Sequence, residues 1–77
     1  MNVRAFLRTP LHRGRATSVR RFELDATVVE VTGEATLRDG GLDVVVAKFY
    51  SERGDEVASP WPRIFLPGSK IDFYVVE

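Results

Sequence analysis

The chain has 77 residues, of which 44% are hydrophobic and 29% are charged, and its 11 basic and 11 acidic residues give a formal net charge of zero. This composition is that of one globular domain rather than a disordered chain, and no stretch approaches the roughly 20 apolar residues that span a bilayer. The absence of cysteine excludes disulfides and thiolate nucleophiles, and one histidine cannot supply a zinc site, so we expect no metal and no other cofactor.

Positive and negative charges are separated along the chain. The first 21 residues contain six arginines and no acidic residue, which gives this opening segment a charge of +6. The remainder has five basic residues against 11 acidic ones and carries −6. Such separation is typical of chains that contact a polyanion or an oppositely charged protein surface. The arginines concerned are Arg4, Arg8, Arg13, Arg15, Arg20 and Arg21.

Residues 1–16 are interpreted as a basic N-terminal segment, an arm or an extra strand, that precedes a single small β-barrel domain over residues 17–77. Residues 2–8 fit either a short helix or a strand. The strand would point Val3, Ala5 and Leu7 inward and Arg4, Phe6 and Arg8 outward. The Thr-Pro step at residues 9–10 ends either structure, and a basic loop follows over residues 11–17.

The first strand of the body is predicted over residues 21–31, where apolar and polar residues alternate. The alternation breaks at Val28-Val29, so we expect either a β-bulge there or a strand end that is covered on both faces. Gly33 is expected to separate this strand from a short one over residues 34–38. The Asp-Gly-Gly sequence at residues 39–41 offers the positive φ values of a tight hairpin.

A valine-rich strand is predicted over residues 42–50. Its core face is expected to carry Val45, Ala47 and Phe49, and its other face Val44, Val46, Lys48 and Tyr50. Glu-Arg-Gly-Asp at residues 52–55 fits a second hairpin turn.

The next strand, over residues 56–66, contains Pro60 and Pro62, which lack the N–H that a central strand donates. It is therefore expected to be an edge strand or to bend around Trp61. Residues 66–69 place Pro and Gly at the centre of a predicted type II turn.

The closing strand is predicted over residues 70–76, with Ile71, Phe73 and Val75 on the core face and Asp72, Tyr74 and Val76 on the outward face. The short connections between strands predict an all-β, antiparallel meander of five to six strands. Closure into a small SH3-like or OB-like barrel would hide more apolar surface than an open sheet.

Two groups of residues are candidates for binding. The six arginines can bind phosphate or carboxylate groups, and Phe6 would lie between two of them. Exposed aromatic side chains suit base stacking or a protein contact, and the candidates are Phe6, Tyr50, Trp61 and Tyr74. For Trp61 the alternative is a structural role, in which the indole fills the mouth of the barrel.

No catalytic constellation is recognisable, so we expect a protein that is not an enzyme. His12 has no acidic neighbour in the sequence to orient it, and the serines lie in or beside turns. Residues 18–22 resemble a twin-arginine export motif in composition, but acidic residues follow where an apolar run is required. We therefore expect a cytoplasmic location.

The sequence predicts a non-enzymatic protein-interaction or assembly module, whose arginine-rich segment contacts an acidic protein surface on a partner or on another copy of the chain. The same arginines could instead pair with acidic residues such as Glu23, Asp25, Glu30 and Asp43, within the protomer or on a neighbouring one. The alternative function is nucleic-acid binding, with the arginines on phosphates and the aromatic residues stacked on bases.

Overall fold

The computed structural model describes residues 1–11 and 27–77. It contains six strands, and a short 3-10 helix lies between the last two. The strands are β1 (Asn2–Leu11), β2 (Val28–Arg38), β3 (Gly41–Ser51), β4 (Glu56–Val57), β5 (Arg63–Pro67) and β6 (Ile71–Val76), and the 3-10 helix is Gly68–Lys70. The prediction of an all-β fold is confirmed for this part of the chain. The strand start expected at Arg21 and most of the predicted basic loop lie outside the described residues.

All strands belong to one antiparallel sheet of order β4-β3-β2-β1-β6, and β5 also pairs with β3 on the edge that β4 occupies. Strands that are consecutive in sequence are therefore neighbours only from β1 to β4, because β5 returns to β3 and β6 pairs with β1. The sheet is not closed within the part of the chain that the structure describes.

The sheet is nevertheless strongly curled. Strands β5 and β6 lie at opposite edges, four inter-strand spacings apart, which is about 19 Å in a flat sheet. The link between Pro67 and Ile71 has only three residues, Gly68–Lys70, so its four Cα–Cα steps span at most about 14 Å. The two edges must therefore curve towards each other at this end of the molecule.

Strand β1 settles the choice between helix and strand at the start of the chain. Val3, Ala5 and Leu7 are buried, as the strand alternative predicted, and their neighbours in sequence lie on the outer face. Because β1 lies between β2 and β6, it is a central strand of the sheet.

Three β-bulges, in β2, β3 and β6, change which residues face the core, and the pairing of β1 with β2 is also irregular between Phe6 and Leu11. The predicted bulge in β2 is confirmed, because Val29 has no partner between the pairs formed by Val28 and Glu30. A second bulge in β3 leaves Ala47 unpaired, and a third in β6 leaves Asp72 unpaired. Each bulge reverses the facing of the residues beyond it.

Because of the second bulge, the core face predicted for β3 is wrong before Ala47 and correct beyond it. Val44 is buried and Val45 is exposed, which is the reverse of the expectation, whereas Phe49 beyond the bulge is buried as predicted. Ala47 is exposed at the bulge itself. The core consists of Val3, Ala5, Leu7, Val28, Val31, Ala35, Leu42, Val44, Phe49, Leu66 and Ile71.

Glycines have different functions from those expected at two positions. Gly33 does not end a strand but lies within β2, where the backbones of β2 and β3 approach too closely for a side chain. Gly68 has no positive φ, so the predicted type II turn is wrong and the 3-10 helix begins there instead. The two predicted hairpin turns are present, with positive φ at Gly40 and Gly54.

The segment that contains Pro60 and Pro62 does not form a continuous strand, because prolines lack the N–H that pairs with a neighbouring strand. Pro60 and Pro62 lie between β4 and β5, so the strand predicted over residues 56–66 is divided into two short edge strands that both pair with β3.

We predict that Gly33→Ala destabilises the fold. A Cβ atom on Gly33 would lie 2.1 Å from the carbonyl oxygen of Val45, so the two central strands would have to separate. The free energy of unfolding should fall by about 1–3 kcal/mol in urea denaturation. Gly68→Ala is the control, because the nearest atom to its new Cβ is 3.5 Å away, and its effect should stay within about 0.5 kcal/mol. Unchanged stability of Gly33→Ala would contradict this account.

Candidate interaction surface

Two phenylalanines stack across β1 and β6 on the outer face of the sheet. Phe6 lies opposite Phe73, with ring centroids 4.8 Å apart and an angle of 27° between the ring planes. Phe73 is 53% exposed and Val75 is 41% exposed, so one side of this stack is open to solvent. We call Phe6, Phe73 and Val75 the aromatic ridge.

Arg4 lies beside the aromatic ridge, and acidic groups of its own chain balance its charge. Its Nη1 atom donates a hydrogen bond to Glu30, and its Nη2 atom lies 3.6 Å from Oε2 of Glu77. The guanidinium carbon is 5.8 Å from the ring centroid of Tyr50, within cation–π range. The hydrogen bond to Glu30 is the main cause that raises the pKa of Arg4. Arg4 is therefore paired within the protomer.

The remaining predicted arginines are less constrained by the structure. Arg8 is exposed near the end of β1 and has no ion pair within the described residues. The other four, Arg13, Arg15, Arg20 and Arg21, lie outside the described residues, and their contribution to binding stays a prediction.

Two of the predicted aromatic residues, Trp61 and Tyr74, are partly buried and pack against the core. Tyr74 was expected to face outward, but the bulge at Asp72 turns it towards the core, opposite buried Ala5. Trp61 packs edge-on against Phe49, with centroids 6.2 Å apart, which fits the structural alternative. The Ser59 hydroxyl fixes the backbone at Trp61, because it accepts a hydrogen bond from the backbone N–H of Trp61 and donates one to the carbonyl oxygen of the same residue.

One edge of β6 pairs with no other strand within residues 1–11 and 27–77, and we call it the free edge of β6. Among the described strands β6 pairs only with β1, and the backbone N–H of Glu77 donates to the carbonyl oxygen of Asn2 at 2.7 Å. Hydrogen bonds in an antiparallel ladder alternate, so every second residue counted back from Glu77 bonds to β1. Tyr74 and Val76 therefore direct their N–H and C=O groups towards the free edge.

The opposite edge of the sheet carries features that prevent strand pairing. Strand β4 has only two residues, and β5 is flanked by Pro62 and ends at Pro67. The guanidinium of Arg63 also donates two hydrogen bonds to Asp43, at 2.7 and 2.5 Å, across β5 and β3. Short strands, prolines and charged side chains are the usual protection of an edge, and β6 has none of them beyond Asp72.

Sequence reasoning missed the exposed residues of β6. Phe73 and Val75 alternate regularly with Ile71, and that pattern predicted a shared core face, but only Ile71 is buried. No residue type or break in alternation within β6 predicts the bulge at Asp72. The Arg4–Glu30 pair, by contrast, was among the alternatives that the charge pattern left open.

Neither a group of metal-ligating side chains nor a membrane-spanning helix is found among the described residues. Over residues 1–11 and 27–77, no three His, Asp or Glu side chains are grouped so as to hold a metal ion. No helix in this part of the chain has the length and apolar character required to cross a membrane. Comparisons with protein families, with curated proteins and with solved structures find no match to this chain.

We predict that the Asp43–Arg63 pair contributes stability that depends on pH. The hydrogen bonds from Arg63 lower the pKa of Asp43 below its usual value of 3.8. This contribution is fully present above that value and is lost as the pH falls through the lower pKa of the folded state. Asp43→Asn should therefore lose less free energy of unfolding than the wild type on acidification below pH 3.8.

The measurement is urea denaturation at a series of acidic pH values. Arg63→Gln is the matched variant, because it removes the donor and should flatten the acid dependence in the same direction. Identical acid dependence in wild type and both variants would contradict a coupling between Asp43 and Arg63.

Proposed function

We propose that this chain is a non-enzymatic protein-interaction module that binds a strand of another polypeptide along the free edge of β6. The observation that carries the proposal is the combination, on one edge strand, of backbone groups directed outward and of exposed apolar side chains. An edge of this kind is a template for strand addition, in which main-chain hydrogen bonds supply affinity.

The aromatic ridge supplies the side-chain part of the contact. An added strand lies about 4.8 Å from β6. Its side chains on the outer face of the sheet therefore contact Phe73 and Val75 directly. Burial of these partly exposed side chains stabilises the complex in proportion to the apolar area removed from water.

The arginine-rich segment provides a second, electrostatic contact in this proposal. Guanidinium groups such as Arg13 and Arg15 would meet an acidic surface on the partner, and rim charges of this kind mainly increase the association rate. The curled sheet is accordingly proposed to be a small, partly open barrel of the SH3-like or OB-like kind, which presents both contacts.

Nucleic-acid binding is the second candidate, and the exposed stack of Phe6 on Phe73 favours it as a platform for bases. The charges beside the platform oppose it. Arg4 is already paired with Glu30 and Glu77, so phosphate would meet two carboxylates together with this one cation. We therefore rank protein binding first.

The proposed edge is tested with a labelled peptide that copies residues 70–77, titrated with the full chain and followed by fluorescence anisotropy. We expect binding that Phe73→Ser weakens and that Phe65→Ser leaves unchanged. The two phenylalanines are matched controls, since they are 53% and 49% exposed and only Phe73 lies on β6.

Val76→Pro extends this test to the backbone. Its missing N–H points to the free edge and not to β1, so the fold should persist while peptide binding is lost. Far-ultraviolet circular dichroism checks that the variant is folded. Undiminished binding by folded Val76→Pro would contradict strand addition at this edge.

Nucleic-acid binding predicts a different result. Labelled single-stranded oligonucleotides should then bind at low salt, and the affinity should fall steeply as salt is added because counterions are released. We expect no such binding by the wild-type chain. A salt-sensitive complex that Phe73→Ser weakens would instead favour the second candidate.

A further inference from the structure

We infer that the strand added to β6 is β6 of a second copy of this chain, antiparallel to the first and related to it by a two-fold axis at Tyr74. The inference rests on the proposed function and names its partner. It follows from the hydrogen-bonding groups, the side chains and the charges along this strand.

The backbone permits a symmetric pairing. Tyr74 directs its N–H and C=O groups towards the free edge, so Tyr74 of each copy can exchange two hydrogen bonds with its counterpart. Phe73 and Val75 direct theirs to β1 and keep those bonds when a second strand is added. No existing hydrogen bond of the sheet has to break.

The side chains select this register over its neighbours. The outer faces of the two copies stay on the same side of the joint sheet only if the partner of each residue shifts by two positions, which moves the two-fold axis by one residue. An axis at Phe73 would set Tyr74 against Asp72 of the second copy, and an axis at Val75 would set Phe73 against Glu77. With the axis at Tyr74, Phe73 lies opposite Val75 of the second copy, and this contact occurs twice.

The aromatic ridges of the two copies then become continuous. The stack of Phe6 on Phe73 extends to Val75 of the second copy, and the symmetric contact repeats on the other side of the axis. The exposed side chains on the outer face of β6, Phe73 and Val75, are thus covered by Val75 and Phe73 of the second copy. A separate partner of different sequence is not required to bury them.

The charges at the ends of β6 are complementary in this arrangement. Lys70 precedes the strand and Glu77 follows it, so an antiparallel pair brings the cationic end of one strand to the anionic end of the other. With the axis at Tyr74, Ile71 faces Glu77 of the second copy and Lys70 is the adjacent residue. A pairing of parallel strands would bring like charges together instead.

The interface is small, which determines how the dimer behaves. A single pair of six-residue strands buries less than the roughly 1,200–2,000 Å² of a stable complex. We therefore expect association that depends on protein concentration, with monomer and dimer in equilibrium. Light scattering over a range of concentrations measures this directly.

Cross-linking tests the register, because the wild-type chain has no cysteine. Phe73→Cys and Val75→Cys are prepared as separate variants of the full chain, one with a small tag so that products differ in mass, and are oxidised alone and as a mixture. Directly opposed residues in a pair that lacks mutual hydrogen bonds have Cα atoms about 4.5 Å apart, which suits a disulfide. We expect a disulfide-linked dimer in the mixture and none from either variant alone.

Other products would overturn the inference in defined ways. A homodimer of Phe73→Cys alone indicates an axis at Phe73, and a homodimer of Val75→Cys alone indicates an axis at Val75. If no cross-link forms and light scattering shows a monomer, while the peptide of residues 70–77 binds, the second copy is not the partner and the proposed function stands. If the peptide also fails to bind, both fail.

Discussion

The short link between β5 and β6 is the constraint on which the rest of the structure depends. It joins two strands at opposite edges of the sheet, so the sheet has to curl until Pro67 and Ile71 come within reach of each other. Curling of this degree requires local breaks in the regular ladder, and the bulges at Val29, Ala47 and Asp72 supply them. Gly33 lacks the Cβ atom that would clash with the carbonyl oxygen of Val45, so β2 and β3 can approach closely at this point.

The same bulges create the candidate interaction surface. The unpaired Asp72 turns the rest of β6 over, so Tyr74 contacts the core and the aromatic ridge faces solvent. The curvature that encloses the core therefore exposes apolar side chains on the last strand. The opposite edge is protected by prolines and by the Asp43–Arg63 pair, so β6 is the one edge strand of the described sheet that combines this exposure with free backbone groups.

Local chemistry allowed much of this fold to be predicted. Glycines with positive φ, the two prolines and the break at Val28-Val29 each act within a few residues, and the turns, the interrupted edge and the first bulge follow from them. The facing of Val45 and Phe73 could not be predicted, because it depends on bulges at Ala47 and Asp72 that compensate for sheet curvature. Curvature is a property of the whole sheet, and no pattern within one strand reports it.

The position of Arg4 shows why charge separation in the sequence does not become charge separation in space. Strand β1 belongs to the basic part of the chain, but its place between β2 and β6 brings Arg4 to Glu30 and Glu77. The outer face around the aromatic ridge is therefore close to neutral instead of basic. A polyanion gains little from such a face, whereas an apolar strand that pairs there leaves the charge of Arg4 compensated by Glu30 and Glu77. The electrostatics of β1 thus favour a protein strand at β6, and any polyanion contact would have to depend on the arginines beyond Leu11.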